Sequence, residues 1–249
     1  MKNYNKWNRA VKPKIWLTAD LHFGHKNILK YAPRRKEKLY AWAKAHNKIV
    51  TDENIASIMD EWLIDLWNST VSKIDNVYIL GDFSFKSAEE NRKLLDKLNG
   101  NKFLVLGNHD GNSDTLHDKF KYIKSMAELK LRDYQSGEDT VCLEMSHFPM
   151  RSWNRMEHGT IQVHGHCHNS MSKKNYKLGE LRVDVGIDSD LANYHFVSPE
   201  MIVNYFNNIT KGRTYREYAR YIISRNLLQR GIIWIENSIK YKRITRKLK

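Results

Sequence analysis

Five short stretches of the chain collect side chains able to bind metal or move protons. They are Asp20-Leu21-His22, Gly81-Asp82, Gly107-Asn108-His109-Asp110, His147 alone, and Gly165-His166-Cys167-His168. Carboxylate, imidazole and carboxamide donors in this mixture suit Mn, Fe, Zn or Ni, whereas a purely structural zinc site draws on thiolates. Cys142 and Cys167 are the two cysteines, too few for a tetrathiolate site or a disulfide framework, and they read as small buried apolar residues. Seven of the eleven histidines (His22, His25, His109, His147, His164, His166, His168) stand in or beside these stretches, next to Asp, Asn or Gly, which scattered surface histidines would not do.

Each stretch follows an apolar run: Ile15–Ala19, Val77–Leu80, Phe103–Leu106, Val141–Met145 and Ile161–Val163, with a further run at Leu181–Val185. A buried strand that ends in a tight bend and polar groups is how a sheet delivers chemistry at its carboxyl edge. Helical patterns lie between. Ile55, Ile58, Met59, Trp62 and Leu66 make one apolar face, with Asp52 and Glu53 expected in the first turn. Ser87-x-x-Glu90 is a capping box for a helix ending near Asn99-Gly100, and Ser198-Pro199 starts another. Asn27 is expected to cap a short helix through Tyr31, and the basic segment 33–48 is a helix or an insertion near the site mouth. Beyond Gly111 the pattern weakens until Val141. Strand, loop and helix in alternation imply an α/β sheet.

At 249 residues, 41% hydrophobic, the chain can bury a sizeable core in one main domain. No apolar run approaches the ~18 residues that cross a bilayer, and the basic start (Lys2, Lys6, Arg9, Lys12, Lys14) leads into no secretory h-region, so a cytoplasmic protein is expected. The net charge of +14 is uneven: from Met201 onward twelve basic residues face two acidic ones, which is +10. Tyr215, Tyr218, Ala219, Ile222 and Ile223 fall at helical spacing there, with Arg216 and Arg220 on another face. With Tyr221, Trp234 and Tyr241, this tail either docks on the domain or grips a nucleic-acid backbone in a salt-dependent way. A basic arm (1–14), a main domain (15–207) and a basic, mainly helical extension (208–249) are the expected units.

The ordered set of five strand-end motifs resembles the calcineurin-like metallophosphoesterase superfamily over roughly Ile15 to Asn207. Singly each motif is weak; in this order, each behind an apolar run, they are specific. Asp20 to Ile28, Gly81 to Phe85 and Asp184 to Asp188 look like the small bacterial and phage members. Ser84-Phe85-Lys86 stands where phosphoprotein phosphatases carry a Val-Asp-Arg-Gly stretch, which argues against protein phosphatase activity. The resemblance implies an αββα sandwich of two mixed β-sheets flanked by helices.

Carried over residue by residue, the family pattern puts one divalent ion on Asp20, His22, Asp82 and His168. A second falls on Asp82, Asn108, His147 and His166, with Asp82 bridging ions ~3.5–4 Å apart. Mn is the expected metal, with Fe, Zn or Ni as alternatives, and a metal-bridging hydroxide attacking in line at phosphorus is the implied reaction. His109 then remains to protonate the leaving oxygen or to stabilise the pentacoordinate phosphorus, with Asp110 as the residue that could orient its ring. His25 and His164 either touch phosphate or a ligand, or are hydrogen-bonded structural histidines. Asp184 and Asp188 either orient ligating histidines or satisfy backbone groups at a turn, the latter preferred. Arg34 and Arg35 either grip a substrate phosphate or are solvated, and Tyr40, Trp42 and Trp153 either stack a base or pack.

The expected activity is thus dimetal-dependent phosphoester hydrolysis, with phosphodiesters of the nucleotide or nucleic-acid kind favoured because the basic surplus attracts polyanions. A phosphomonoesterase or dinucleoside-polyphosphate hydrolase is one alternative. A nucleic-acid or partner-binding protein that retains the fold is another. Abundant Asn, Lys, Ile and Tyr fit an AT-rich genome, and for a phage protein the expected location is the host cytoplasm.

Overall fold

The computed structural model describes residues 12–111, 113–132, 140–171 and 180–225. Lys2, Lys6 and Arg9 of the arm lie outside these residues, as do Trp234, Tyr241 and seven of the twelve basic residues of the tail.

Among these residues eight strands form two four-stranded sheets. In the first, β1 (Ile15–Thr18), β2 (Asn76–Leu80), β3 (Asn101–Val105) and β4 (Ile123–Lys124) lie side by side in sequence order, parallel throughout. In the second, β5 (Met126–Arg132) runs antiparallel to β6 (Thr140–Ser146), which is parallel to β7 (Ile161–His164), itself parallel to β8 (Arg182–Asp184). The mixed character expected of the sheets therefore sits in the second. Single bridges from Ala19 to Gly186 and from Leu17 to Val197 join the free side of β1 to the chain that follows β8.

Alternation along the strands creates the layers. Val77 and Ile79 of β2 face a core shared with Met59, Trp62, Trp67 and Leu94, while Leu80 faces Leu143, Met145, Val163 and Val183 between the sheets. Among the described residues six helices cover this sandwich: α1 (Ile28–Tyr31), α2 (Pro33–Ala45), α3 (Ile55–Thr70), α4 (Ala88–Lys97), α5 (Pro199–Thr210) and α6 (215–225). Segment 33–48 is thus helical for most of its length, opened by Pro33.

The capping box is present, Glu90 N–H donating to Ser87 Oγ and Ser87 N–H to Glu90 Oε2, and Ser198 caps α5 through Met201 N–H. Helix α3 begins later than its charge pattern suggests. Asp52 and Glu53 fall in a turn before it, closed by Thr51 N–H on Asn54 Oδ1, and the first helical residue is the buried Ile55. Strands β4 and β5 have no apolar run to announce them: β4 is two residues long, and β5 is an edge strand whose Met126, Glu128, Lys130 and Arg132 point to solvent.

Of the two expectations for the tail, docking is what its described part shows. Tyr215, Tyr218, Ala219 and Ile222 of α6 are buried in the second core, and the Tyr215 hydroxyl donates to Val203 O of α5 at 3.3 Å. Arg213, Arg216, Arg220 and Arg225 are exposed. No described helix is long and apolar enough to cross a membrane.

Candidate metal centre

The carboxyl ends of β1, β2, β3, β6 and β7 converge. Asp20, His22 and His168 each offer a donor atom within 4.8 Å of the other two, and so do Asp82, His147 and His166. Asn108 joins the second group, its Oδ1 lying 3.0 Å from His147 Nε2. Asp82 faces both: Oδ2 is 3.7 Å from His22 Nε2, and Oδ1 is 3.5 Å from His147 Nε2. All seven residues expected as ligands are therefore gathered in one place.

The backbone is strained to achieve this. Asp20, His22, Asp82, His166 and His168 have φ of 57°, 53°, 53°, 69° and 42°, left-handed values that cost on the order of 1–3 kcal/mol each and recur where function demands a direction. Close approach adds a glycine requirement. A Cβ on Gly107 would strike Asp82 Oδ1 and N, and one on Gly186 would strike Asp20 Oδ2.

Neighbouring groups aim the donors. His147 Nδ1 lies 2.8 Å from Leu80 O, a pure acceptor, so Nδ1 carries the hydrogen and Nε2 of the neutral ring keeps its lone pair for the site. His168 Nδ1 lies 2.7 Å from Asp188 Oδ2, with the same result. Nε2 of His168 then faces Nε2 of His22 at 3.3 Å, and Nε2 of His147 faces Nδ1 of His166 at 3.2 Å. Opposed ring nitrogens beside buried carboxylates form a pair of cradles that divalent ions fit.

The electrostatics agree. Burial pushes the Asp20 carboxyl up to about 7, despite the nearby His168, although its oxygens accept the His166 N–H at 3.0 Å. Burial, with Arg35 and His168 behind it, pulls His22 down to about 2, leaving a neutral ring. At Asp82 burial acts upward, but the His147 hydrogen bond and charge hold the carboxyl at about 2. The centre thus supplies one firmly ionised carboxylate, a second that a cation would ionise, a neutral His22 ring, and His147 and His168 rings that burial acts to lower but that hydrogen bonds to Asp82 and Asp188 raise above the ordinary value.

Other expected residues separate. His109 stands at the mouth, half exposed, Nε2 4.0 Å from Asp82 Oδ2. Asp110 does not orient its ring: Oδ2 accepts the N–H groups of Asp82 and Gly107, and Oδ1 that of Phe83, so it is a backbone clamp. Arg35 cannot grip substrate. It is fully buried, with Nε and Nη2 on the two oxygens of Asp188 at 2.8 and 2.6 Å, Nη2 also on Asp20 O, and Nη1 on Leu21 O. Arg34 is spent on Asp190 and Asn193. Asp184 serves backbone groups, accepting from Gly186 and Asn169, whereas Asp188, for which the same was preferred, holds His168.

His25 stacks on Phe85 and its ring lies 5.6 Å from that of His22, while His164 is buried with Nδ1 2.8 Å from Gly165 O. Trp153 is buried with Nε1 on Thr160 O, Trp42 stacks on His46, and Tyr40 is exposed beneath Lys36. Sequence reasoning passed over the Arg35–Asp188 pair, since no local pattern joins residues so far apart, and it passed over the exposed rings of Phe85 and Phe148 beside the histidines.

A family model described as calcineurin-like phosphoesterase matches residues 13–197. The Gene 66 protein of Mycobacterium phage L5 is 27% identical over 200 residues, covering 70% of this chain and 86% of that protein. An uncharacterized protein of Methanocaldococcus jannaschii is 30% identical over 205 residues, covering 82% and 95%. Among solved structures, a protein of unknown function from Aquifex aeolicus matches with a TM-score of 0.53 at 18% identity, covering 78% of this chain and 100% of that one, a likeness of fold.

Proposed function

We propose, for a chain that belongs to the calcineurin-like phosphoesterase family, that it is a phosphodiesterase acting on nucleotides or nucleic acid. Membership brings metal-dependent phosphoester hydrolysis at a dinuclear divalent site. The observation that carries the reading is the single Asp82 carboxylate turned to both donor groups, with His109 beside it at the mouth.

Asp20, His22, Asp82 and His168 would hold one ion, and Asp82, Asn108, His147 and His166 the other. Such ions, manganese being the favoured pair, supply Lewis acidity toward phosphoryl oxygens and make water acidic enough to attack near neutral pH. The chain's own residues do the rest. Asp110 fixes the Asp82 turn, Leu80 O and Asp188 fix the tautomers of His147 and His168, and His109 gives a proton to the leaving oxygen.

A diester is favoured because a net charge of +14 draws polyanions to the molecule. Residues 15–207 are taken as the catalytic domain. The exposed arginines of α6 in the extension are placed on the phosphate backbone of a longer substrate, and the relatives in phages are compatible with the host cytoplasm. The test is the Mn²⁺-loaded protein with bis(4-nitrophenyl) phosphate and with 4-nitrophenyl phosphate. Faster turnover of the diester supports the reading and faster turnover of the monoester replaces it with a phosphomonoesterase. Metal uptake without hydrolysis of either points to a binding protein on the same fold.

A further inference from the structure

Of eight phenylalanines, Phe85 (42%) and Phe148 (48%) are the exposed ones, and both stand at the metal centre. Phe85 stacks on His25 with ring centroids 3.9 Å apart, and lies 4.5 Å from His109 and 5.4 Å from His22. Phe148 meets His166 at 4.6 Å and His147 at 5.0 Å, edge to face in both cases. One ring therefore borders the Asp20 group and the proton donor. The other borders the Asp82 group.

Neither ring is where it is because the core needs it. Phe85 is held by its backbone, its N–H donating to Phe23 O at 2.9 Å beside the Phe23–Ser84 bridge. Phe148 is held through its carbonyl, which accepts from Ser146 Oγ at 2.8 Å and from Nε2 of Gln162 at 3.3 Å. Gln162 is fully buried and also donates to Ser146 Oγ at 2.9 Å. A buried polar network thus fixes a loop whose apolar ring is left in water. Phenylalanine can neither bind the metals nor carry a proton, so what these rings offer a ligand is a flat apolar face next to the phosphate position. An alkyl phosphate has no group to use it, whereas a base has a π-face whatever its sequence identity.

We propose that Phe85 and Phe148 are stacking platforms for the two nucleosides joined by the scissile phosphodiester. Phe85, against His109, takes the nucleoside that leaves, and Phe148 takes the one that stays on the phosphate. This rests on the phosphodiesterase reading above and narrows its substrates to internucleoside diesters.

The test reads binding as well as turnover. On Mn²⁺-loaded protein, calorimetry with AMP and with ribose 5-phosphate is expected to show AMP binding about ten-fold tighter, and Phe85→Ala/Phe148→Ala is expected to bind the two alike. In kinetics, thymidine 5′-(4-nitrophenyl phosphate) and methyl 4-nitrophenyl phosphate share a leaving group. Phe148→Ala is expected to lower the thymidine-to-methyl ratio of kcat/KM about ten-fold, mainly through KM. Thermal midpoint and metal content report whether each variant is folded; if the alanine variants are not, the corresponding leucine variants, which keep bulk and lose the flat face, give the same comparison. Equal affinity of the parent for AMP and ribose 5-phosphate, or discrimination that survives both substitutions, overturns the proposal. Discrimination by a parent that hydrolyses no diester upholds the platforms and removes the phosphodiesterase reading. Hydrolysis without discrimination does the reverse.

Discussion

Asp110 grips Asp82 by the backbone, its Oδ2 accepting the Asp82 N–H at 2.8 Å while its Oδ1 accepts that of Phe83 at 2.9 Å. The same Oδ2 accepts the Gly107 N–H, so one buried carboxylate ties the loop after β2 to the loop after β3. Asp110→Asn keeps the shape but sets an amide against backbone donors. The expected loss is about 1–3 kcal/mol of stability, with weaker metal uptake at the Asp82 group; urea unfolding and a metal titration measure the two, and a variant as stable as the parent would show that the clamp is idle.

Arg35 and Asp188 make a fully buried ion pair that reaches Asp20 through a carbonyl and His168 through a carboxylate. Removing the cation in Arg35→Met leaves Asp188 buried and charged without its guanidinium, which costs about 3–5 kcal/mol. The Asp20 group should lose its ion first. Arg35→Lys keeps charge without the planar fork and should restore only part of both stability and metal content. Equal loss of the two ions in a folded variant would count against this selectivity.

His109→Ala should retain two ions per chain and lose about 10²–10⁴-fold in turnover. A poor leaving group needs the proton more, so the loss should be steeper for a phenyl ester than for a 4-nitrophenyl ester. Normal rates in metal-replete variant protein would exclude His109 from the reaction.

Ions that bind only the folded chain stabilise it, by about 2.7 kcal/mol at a hundred times Kd. Chelation should therefore lower Tm, and added Mn²⁺ should restore it. In Asp82→Asn, which removes the shared carboxylate charge, the Mn²⁺-dependent rise should shrink. A parent Tm indifferent to both treatments would contradict the assignment of the site.

Asp75 gives a pH signature remote from the metals. Burial acts to raise its carboxyl, but the N–H groups of Ser72 and Lys14 and the Trp16 indole outweigh it and hold the group below its ordinary value. A lowered folded value means stabilisation in place above about pH 4 and lost as pH falls through that lower value. Asp75→Asn should flatten acid unfolding in that window, as followed by circular dichroism.

The candidate ligands were legible because each follows an apolar run, so strand, bend and donor appear together in a few residues such as Val77 to Asp82. Caps were legible for the same reason, as at Ser87 and Glu90. What could not be read depends on partners distant in the chain. Arg35 looks like one more charge on a basic helix until Asp188, far along the sequence, closes on it. Asp110 looks like a catalytic neighbour until the backbone it serves is folded beneath it. Strand β5 escaped because an edge strand facing solvent has no apolar run, and the exposure of Phe85 and Phe148 is a property of the assembled surface.

The bridges from Leu17 to Val197 and from Ala19 to Gly186 also join stretches that are made far apart in time. Among the described residues β1 is the first strand, yet it is flanked on its outer side by Gly186 and Val197, and the group begun by Asp20 is finished by His168 and steadied by Asp188. A nascent chain stopped short of Gly186 can pair β1 with β2, yet it holds Asp20 in a half-built cradle. The Asp20 group is therefore expected to take its ion only once the chain has been made through Asp188.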